Sequence, residues 1–211
     1  MIYLFDVDGT LIDSSKRHTI LLSNLLYKED ADNKRFVLSD YLEYKSNGFG
    51  TYDYLTYILH YDVEYAKNIS QEWVKHIEDE LLIQYDCLYS DTITTLEKLK
   101  NNKIFYVSGR QNEKLLFAEL ERFNLLKYAC KVVVTNPSLG AKDKIEKIKL
   151  LNLHGKQIVV GDTEADYDTA KCLGIDYYIL NRGFRNKDFW DKREVASHKD
   201  LSEILVDLSK V

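Results

Sequence analysis

Short apolar runs alternate with segments of helical periodicity over most of the chain. Runs rich in β-branched and aromatic residues predict five strands: Ile2–Phe5, Ile104–Ser108, Lys131–Val134, Gln157–Gly161 and Tyr177–Leu180. Apolar residues that recur every three or four positions predict five helices: Thr92–Asn101, Glu113–Phe123, Lys142–Leu151, Glu164–Leu173 and Asp200–Leu208. This alternation is typical of an α/β fold, in which helices cover both faces of a parallel sheet.

Residues 15–85 interrupt the alternation and show no convincing strand. They predict four helices instead: Lys16–Tyr27, Leu38–Lys45, Tyr52–Tyr61 and Val63–Gln84. We therefore predict an α/β core domain, formed by residues 1–14 and 86–211, and an α-helical domain of residues 15–85 that is inserted after the first strand.

Composition narrows the possible partners and location. The formal net charge of −5 argues against nucleic-acid binding, which usually needs a basic face. The three cysteines lack metal-ligand spacing and suit a reducing compartment. The N-terminal residues do not resemble a signal peptide, and no apolar run approaches the ~20 residues that span a bilayer. We expect a cytoplasmic protein without membrane or nucleic-acid partners; the sequence leaves its oligomeric state open.

The first predicted strand is followed directly by two aspartates, Asp6 and Asp8. Successive strand residues point to opposite sides, so these two carboxylates share one side. Gly9 then allows the backbone to turn sharply. Because open α/β sheets bind ligands at the carboxyl ends of their strands, the pair is placed for chemistry on a ligand.

Further polar residues follow the later strands in a fixed order. Ser108 and Gly109 end the second strand, Lys142 opens the helix after the third, and Asp162 and Asp166 follow the fourth. Together with the Asp-x-Asp-Gly-Thr segment, these motifs resemble the four motifs of the haloacid dehalogenase-like hydrolases. The predicted insertion is similar to the helical cap that one branch carries between its first two motifs, the branch of phosphoglycolate phosphatase and beta-phosphoglucomutase. The resemblance implies a Rossmann-like core and a magnesium-dependent phosphatase.

The resemblance implies that Asp6 is the nucleophile, which accepts the phosphoryl group as an aspartyl-phosphate. It makes Asp8 the general acid and base that protonates the leaving alkoxide and later accepts a proton from water. In the dehalogenase branch the second aspartate is replaced, because a halide leaves without a proton. The presence of Asp8 therefore favours phosphoryl transfer from an alcohol.

The remaining motif residues receive phosphate-binding and metal-binding roles by the same resemblance. The implied phosphate-binding residues are Ser108, Gly109 and Lys142. The implied ligands of Mg²⁺ are Asp6, Asp8 and Asp162, with Asp166 supporting them. Physical chemistry agrees with a metal, because carboxylates that converge repel one another, and a hard divalent cation with oxygen ligands removes that penalty.

Several alternatives stay open. Lys144 can replace Lys142, and Arg110 is either a surface charge or a substrate contact. The loop Ser46–Thr51, with Phe49 at its centre, is expected to face the active site and to select the substrate. The substrate is expected to be a small phosphorylated sugar, a phosphoglycolate-like acid or a nucleoside monophosphate. Competing functions are a phosphomutase such as beta-phosphoglucomutase and a non-catalytic phosphate-responsive module such as a receiver domain.

Overall fold

A computed structural model describes residues 1–29 and 38–204. Its strands are β1 (Ile2–Phe5), β2 (Ile12–Asp13), β3 (Cys87–Leu88), β4 (Lys103–Ser108), β5 (Lys131–Val134), β6 (Gln157–Gly161), β7 (Asp176–Leu180) and β8 (Ser197–His198). Six of them form a parallel sheet in the order β5-β4-β1-β6-β7-β8. The five predicted strands and the predicted α/β class are confirmed.

Helices connect the strands of the sheet. Those that follow β3 are α6 (Thr92–Leu99), α7 (Glu113–Arg122), α8 (Ala141–Leu150), α9 (Glu164–Leu173) and α10 (Lys187–Asp191), with 3₁₀ turns at Leu126–Tyr128 and Pro137–Leu139. The helix predicted at residues 200–208 extends past residue 204 and so lies partly outside the described residues. No helix in the described ranges is long and apolar enough to cross a membrane.

The sheet is buried on both faces, as the apolar strands require. Tyr3 and Phe5 of β1 point to the face covered by α6 and α7, where Leu96 and Leu116 pack against them. The neighbouring β1 residues belong to the opposite face and pack with Ile148 of α8 and with residues of α9. Because alternate residues of one strand serve two cores, β1 sits at the centre of the molecule and its carboxyl end is held firmly.

The segment between β2 and β3 is helical where it is described. Its helices are α1 (Ser15–Glu29), α2 (Leu38–Ser46), α3 (Thr51–Asp53), α4 (Val63–His76) and α5 (Glu80–Ile83), with a π-helix at Tyr54–Ile58. Helices α1, α2 and α4 and the π-helix share a separate apolar cluster that includes Leu22, Tyr41, Leu55 and Ile69, whereas Leu82 of α5 belongs to a smaller one. We call this segment the insertion; its division from the core at residues 15 and 85 stays a prediction.

The insertion differs from the predicted helices in two places. The helix predicted at residues 63–84 is broken, because Asp79 adopts an extended N-cap conformation between α4 and α5. Aspartate favours that position over a helix interior. In place of the single helix predicted at residues 52–61, α3 is followed by a π-helix that ends at Ile58. His60, two residues later, has a positive φ of 56°.

The antiparallel pair β2–β3 joins the insertion to the core. Ile12 pairs with Leu88 and Asp13 pairs with Cys87, so the two chain crossings run side by side. These strands have two residues each and therefore show no periodicity from which they could be predicted.

Candidate active site

The carboxyl end of β1 carries Asp6 and Asp8 to the edge of the sheet. The backbone N–H of Asp6 donates to Val160 O at 2.8 Å and thus extends the contact with β6. Gly9 has a φ of 78°, a left-handed value that favours glycine, and the chain turns back there. Since Phe5 pairs with Tyr106 of β4, the end of β4 lies at the same edge.

Three carboxylates converge at this edge. Asp6, Asp162 and Asp166 each offer one oxygen, and these oxygens lie within 4.8 Å of one another. All three side chains are buried. Burial, with Asp166 and Asp162 as neighbours, raises the pKa of Asp6 well above its usual value. Burial and then Asp166 raise the pKa of Asp162 to about 7. Burial and mutual repulsion therefore make three ionised carboxylates unfavourable here unless a further cation binds.

The carboxylate of Asp162 is held in a tight cradle. Thr10 Oγ1 donates to one of its oxygens at 3.1 Å, and the backbone N–H of Phe184 donates to the other at 2.6 Å. A Cβ atom at Gly9 or at Gly183 would overlap this carboxylate. Both positions thus require glycine for the approach of the backbone.

The donor set fits a hard divalent cation. Asp6, Asp162 and Asp166 supply only oxygen atoms, and Lys144 is the one cation that pairs with any of them in the described part of the chain. Mg²⁺ is bound in this way, by a few carboxylates together with oxygens of the substrate. The expected ligand Asp8 does not join this cluster, because its carboxylate is bound by arginines, whereas Asp166 does join it.

Lys144, and not Lys142, reaches the cluster. Its Nζ lies 2.6 Å from Asp6 Oδ1 and 2.5 Å from Asp166 Oδ1. Although burial alone would lower the pKa of Lys144, Asp166 and Asp6 raise it above its usual value. Lys142 is exposed. Lys144 precedes the buried Ile148 by one helical turn and shares its face, whereas Lys142 points to another side of α8. The lysine that contacts the cluster is therefore Lys144, which the sequence left open as the alternative to Lys142.

Asp8 is clamped between two arginines. Arg17 Nη2 donates to Asp8 Oδ1 at 2.7 Å, and Arg110 Nε and Nη2 donate to the two Asp8 oxygens at 2.8 Å each. Both arginines also contact Asp86, at 2.9 and 3.2 Å. Although burial alone would raise the pKa of Asp8, Arg110 and Arg17 hold it well below its usual value. Arg110 is 2% exposed and is therefore not a surface charge.

Ser108 and Gly109 lie at the end of β4, where they were expected. The Ser108 side chain is buried, and its Oγ accepts a hydrogen bond from the backbone N–H of Arg110 at 3.3 Å. Its backbone oxygen accepts from Thr135 N at 2.7 Å, which ties β4 to the segment after β5. Gly109 lines the cavity described next. Their phosphate-binding role stays a prediction.

A cavity of about 370 Å³ lies over the cluster, between the core and the insertion. Its polar lining includes the charged residues Asp6, Asp8, Arg17, Glu78, Arg110 and Lys144. Aromatic and apolar side chains form the opposite wall: His18, Trp73, Val74, Ile77 and Phe184. The site thus combines a charged floor with an apolar roof, most of which comes from α1 and α4.

The loop Ser46–Thr51 does not line this cavity, contrary to expectation. It packs against the segment that precedes α10: Asn186 N donates to Ser46 O at 2.9 Å, and Asn186 Nδ2 donates to Asn47 Oδ1 at 3.1 Å. Phe49 stacks on Tyr44 at a centroid distance of 4.5 Å. The loop is therefore a contact between the insertion and the core.

Several site residues escaped the sequence interpretation. Arg17 and Asp86 contact motif residues only through the fold, and Trp73 lies in a segment that was predicted only as a helix. Lys144 could have been preferred to Lys142 from the sequence, since it lies one turn from Ile148 on the apolar face of its helix.

A parallel α/β sheet with buried acidic residues at its carboxyl edge, under an inserted helical segment, is typical of α/β proteins that bind a ligand at that edge. The family model of the haloacid dehalogenase-like hydrolases matches residues 1–174, and the chain belongs to this family.

Solved structures agree with the fold. A protein from Clostridium acetobutylicum described as a predicted phosphatase is 20% identical, with a TM-score of 0.73 over 100% of this chain and 98% of that one. A haloacid dehalogenase-like family protein from Streptococcus pneumoniae is 16% identical, with a TM-score of 0.74 over 97% of each chain. A predicted phosphoglycolate phosphatase from Haemophilus somnus is 18% identical, with a TM-score of 0.69 over 99% and 97%. No curated protein matches the sequence.

Proposed function

We propose that this protein is a magnesium-dependent phosphatase, which hydrolyses a small phosphate monoester through an aspartyl-phosphate on Asp6. The observation that carries the proposal is the position of Asp6 on the cavity floor. There it belongs to the acidic cluster and pairs with Lys144, and Asp8 follows it on the same strand end. A bound Mg²⁺ would be held by Asp6, Asp162 and Asp166 and would supply positive charge to the phosphoryl oxygens.

In the first step, a carboxylate oxygen of Asp6 attacks phosphorus, and the bond between phosphorus and the ester oxygen breaks. In the structure Arg110 and Arg17 hold the pKa of Asp8 below its usual value, so Asp8 takes up a proton once it leaves these arginines. It then gives that proton to the ester oxygen, so that a neutral alcohol leaves. Lys144 balances charge beside the nucleophile. Asp6 and Lys144 are both buried, which strengthens the electrostatic contact between them.

In the second step, a water molecule attacks phosphorus of the aspartyl-phosphate. Asp8 accepts a proton from this water, the bond between phosphorus and the Asp6 oxygen breaks, and inorganic phosphate leaves. Asp6 is thereby restored as a carboxylate and Asp8 as an acid. Splitting the hydrolysis into two transfers makes each step easier than direct attack by water.

The substrate is proposed to be a small phosphorylated metabolite, since a cavity of about 370 Å³ is at the small end of the range for ligand pockets. The cytoplasmic location stays a prediction.

The test is phosphate release from p-nitrophenyl phosphate and from a library of phosphorylated metabolites, with and without Mg²⁺. We expect Mg²⁺-dependent release that Asp6→Asn abolishes and that Asp168→Asn retains. Asp168 is an exposed carboxylate of α9 and therefore a matched control.

Two other results would contradict the proposal. Conversion of a hexose 1-phosphate to the 6-phosphate without free phosphate would show a phosphomutase. Stable phosphorylation of Asp6 without turnover would show a non-catalytic phosphate-responsive module.

A further inference from the structure

Two buried guanidinium groups, one from each side of the cavity, meet at Asp8. Arg17 lies in α1 of the insertion, and Arg110 follows β4 of the core. They are 3% and 2% exposed, and both line the cavity. Two cations buried beside a substrate cavity are costly unless anions pair with them.

Their donors are not all satisfied by the protein. Arg17 Nε is buried and has no hydrogen-bond partner among the described residues. Buried donors of this kind are rare in folded proteins and call for an explanation. Because Arg17 lines the cavity, a ligand in the cavity is one source of the missing acceptor.

Asp8 occupies other donors of the same two guanidinium groups. Its carboxylate accepts three guanidinium hydrogen bonds, one from Arg17 and two from Arg110. Charge-assisted bonds of this kind are about twice as strong as neutral ones. Asp8 therefore turns to a leaving oxygen only at the expense of these bonds, unless another anion takes its place.

The surroundings favour an anion of small size. Burial, and then the positive charges of Lys45 and Arg17, lower the pKa of His18, which also lines the cavity. Lys45 and Arg17 thus place positive charge close to this wall of the cavity. The cavity volume of about 370 Å³ leaves space for a short leaving group beside the phosphoryl group.

We propose that Arg17 and Arg110 form a subsite for a carboxylate on the alcohol part of the substrate. The preferred substrates are then small phosphate monoesters of hydroxy acids. The carboxylate of the substrate replaces the Asp8 carboxylate on the two guanidinium groups, and Asp8 turns to the ester oxygen. The geometry suits a carboxylate, since a carboxylate occupies these donors in the structure. The inference rests on the proposed phosphatase activity and specifies its substrate class.

The test compares two esters that differ only in the acidic group. In 3-phosphoglycerate a carboxylate stands where glycerol 3-phosphate has a hydroxymethyl group. We expect the wild-type protein to show a kcat/KM on the order of 10- to 100-fold higher for 3-phosphoglycerate, because a site built for a polar group rejects an analogue without it. In Arg17→Gln and in Arg110→Gln this ratio is expected to fall to within about threefold of one.

The ratio separates recognition from a structural role, since damage to the site lowers both rates together. Arg122→Gln is the matched control. Arg122 pairs with Glu119 at the outer end of the same charge network but does not line the cavity, so the ratio should stay at the wild-type value. A ratio that persists in a folded Arg17→Gln protein would overturn the inference.

A second measurement needs no variant. Glycerate, the acid left after hydrolysis, should inhibit turnover of p-nitrophenyl phosphate competitively at concentrations at which glycerol has no effect. Equal inhibition by glycerate and glycerol, or a wild-type ratio near one, refutes the carboxylate subsite. If p-nitrophenyl phosphate is turned over in an Asp6-dependent manner in that case, the phosphatase proposal stands. If no ester is turned over in an Asp6-dependent manner, both proposals fail.

Discussion

Lys144 Nζ donates a hydrogen bond to Asp6 Oδ1 at 2.6 Å, although the two residues are 138 positions apart in the sequence. The same ammonium group contacts Asp166 at 2.5 Å. One buried cation thus links the proposed nucleophile to the acidic cluster. Because removing one partner of a buried ion pair leaves the other uncompensated, this contact matters for stability and for charge balance in the proposed phosphoryl transfer.

Substitution of each lysine in turn tests whether Lys144 or Lys142 takes part in the reaction. We expect Lys144→Met to lower kcat/KM for a phosphate ester by about 100-fold or more, the size of effect seen when a preorganised donor is removed from a site. Lys142→Met should stay within about twofold of the wild-type rate, as exposed substitutions usually do. Steady-state kinetics on both variants, with circular dichroism to check folding, measures the difference. A larger loss in Lys142→Met than in Lys144→Met would contradict the assignment.

Addition of Mg²⁺ is expected to raise the melting temperature of the wild-type protein. A ligand that binds the folded state stabilises it by RT ln(1 + [L]/Kd), about 2.7 kcal/mol at one hundred times Kd. Asp162→Asn should lose most of the shift, because it removes one carboxylate of the cluster. Differential scanning fluorimetry with Mg²⁺ and with EDTA measures it. Asp168→Asn, on the exposed side of α9, serves as the control.

The pH dependence of stability follows from Asp162. Burial raises its folded-state pKa from 3.8 to about 7. Between these two values the folded protein binds more protons at this site than the unfolded chain, so this group makes the free energy of unfolding fall as pH rises. Without divalent cations, the wild-type protein should therefore lose stability relative to Asp162→Asn between about pH 4 and pH 7. Urea unfolding at several pH values measures this. Parallel curves for the two proteins would show that Asp162 is not the source.

The glycine at position 183 is expected to be essential for the shape of the metal site. A Cβ atom there would overlap Asp162 and approach the backbone oxygen of Gly9. Gly183→Ala should therefore displace Asp162 and weaken Mg²⁺ binding by about tenfold or more, the scale on which residues that orient metal ligands act. Isothermal titration with Mg²⁺ measures the affinity.

The control for this substitution is Gly155→Ala. Gly155 has a φ of 112°, so alanine is strained there, but nothing lies within 4 Å of its added Cβ. This variant should lose stability and keep its Mg²⁺ affinity. Equal Mg²⁺ affinity in Gly183→Ala and the wild-type protein would mean that Asp162 is not a ligand.

The sequence alone determined the sheet and the motif order. The apolar runs of β1 and β6 place Asp6 and Asp162 directly after buried strands, and parallel strands end at one edge. The two carboxylates were therefore predictable neighbours. Strands and helices of this kind depend on residues that are close in sequence. Hydrophobic periodicity and the residues that end each element therefore predict them.

Only the tertiary structure decided which cationic side chains form ion pairs with the aspartates of the site. Lys142 and Lys144 are equal by charge and nearly equal by position, and the direction in which α8 packs brings Lys144 to Asp6. Arg17 reaches Asp8 because β2 and β3 bring the start and the end of the insertion together beside β1, which no local pattern encodes. Pairing between distant charges depends on where whole elements pack, and packing is a property of the folded chain.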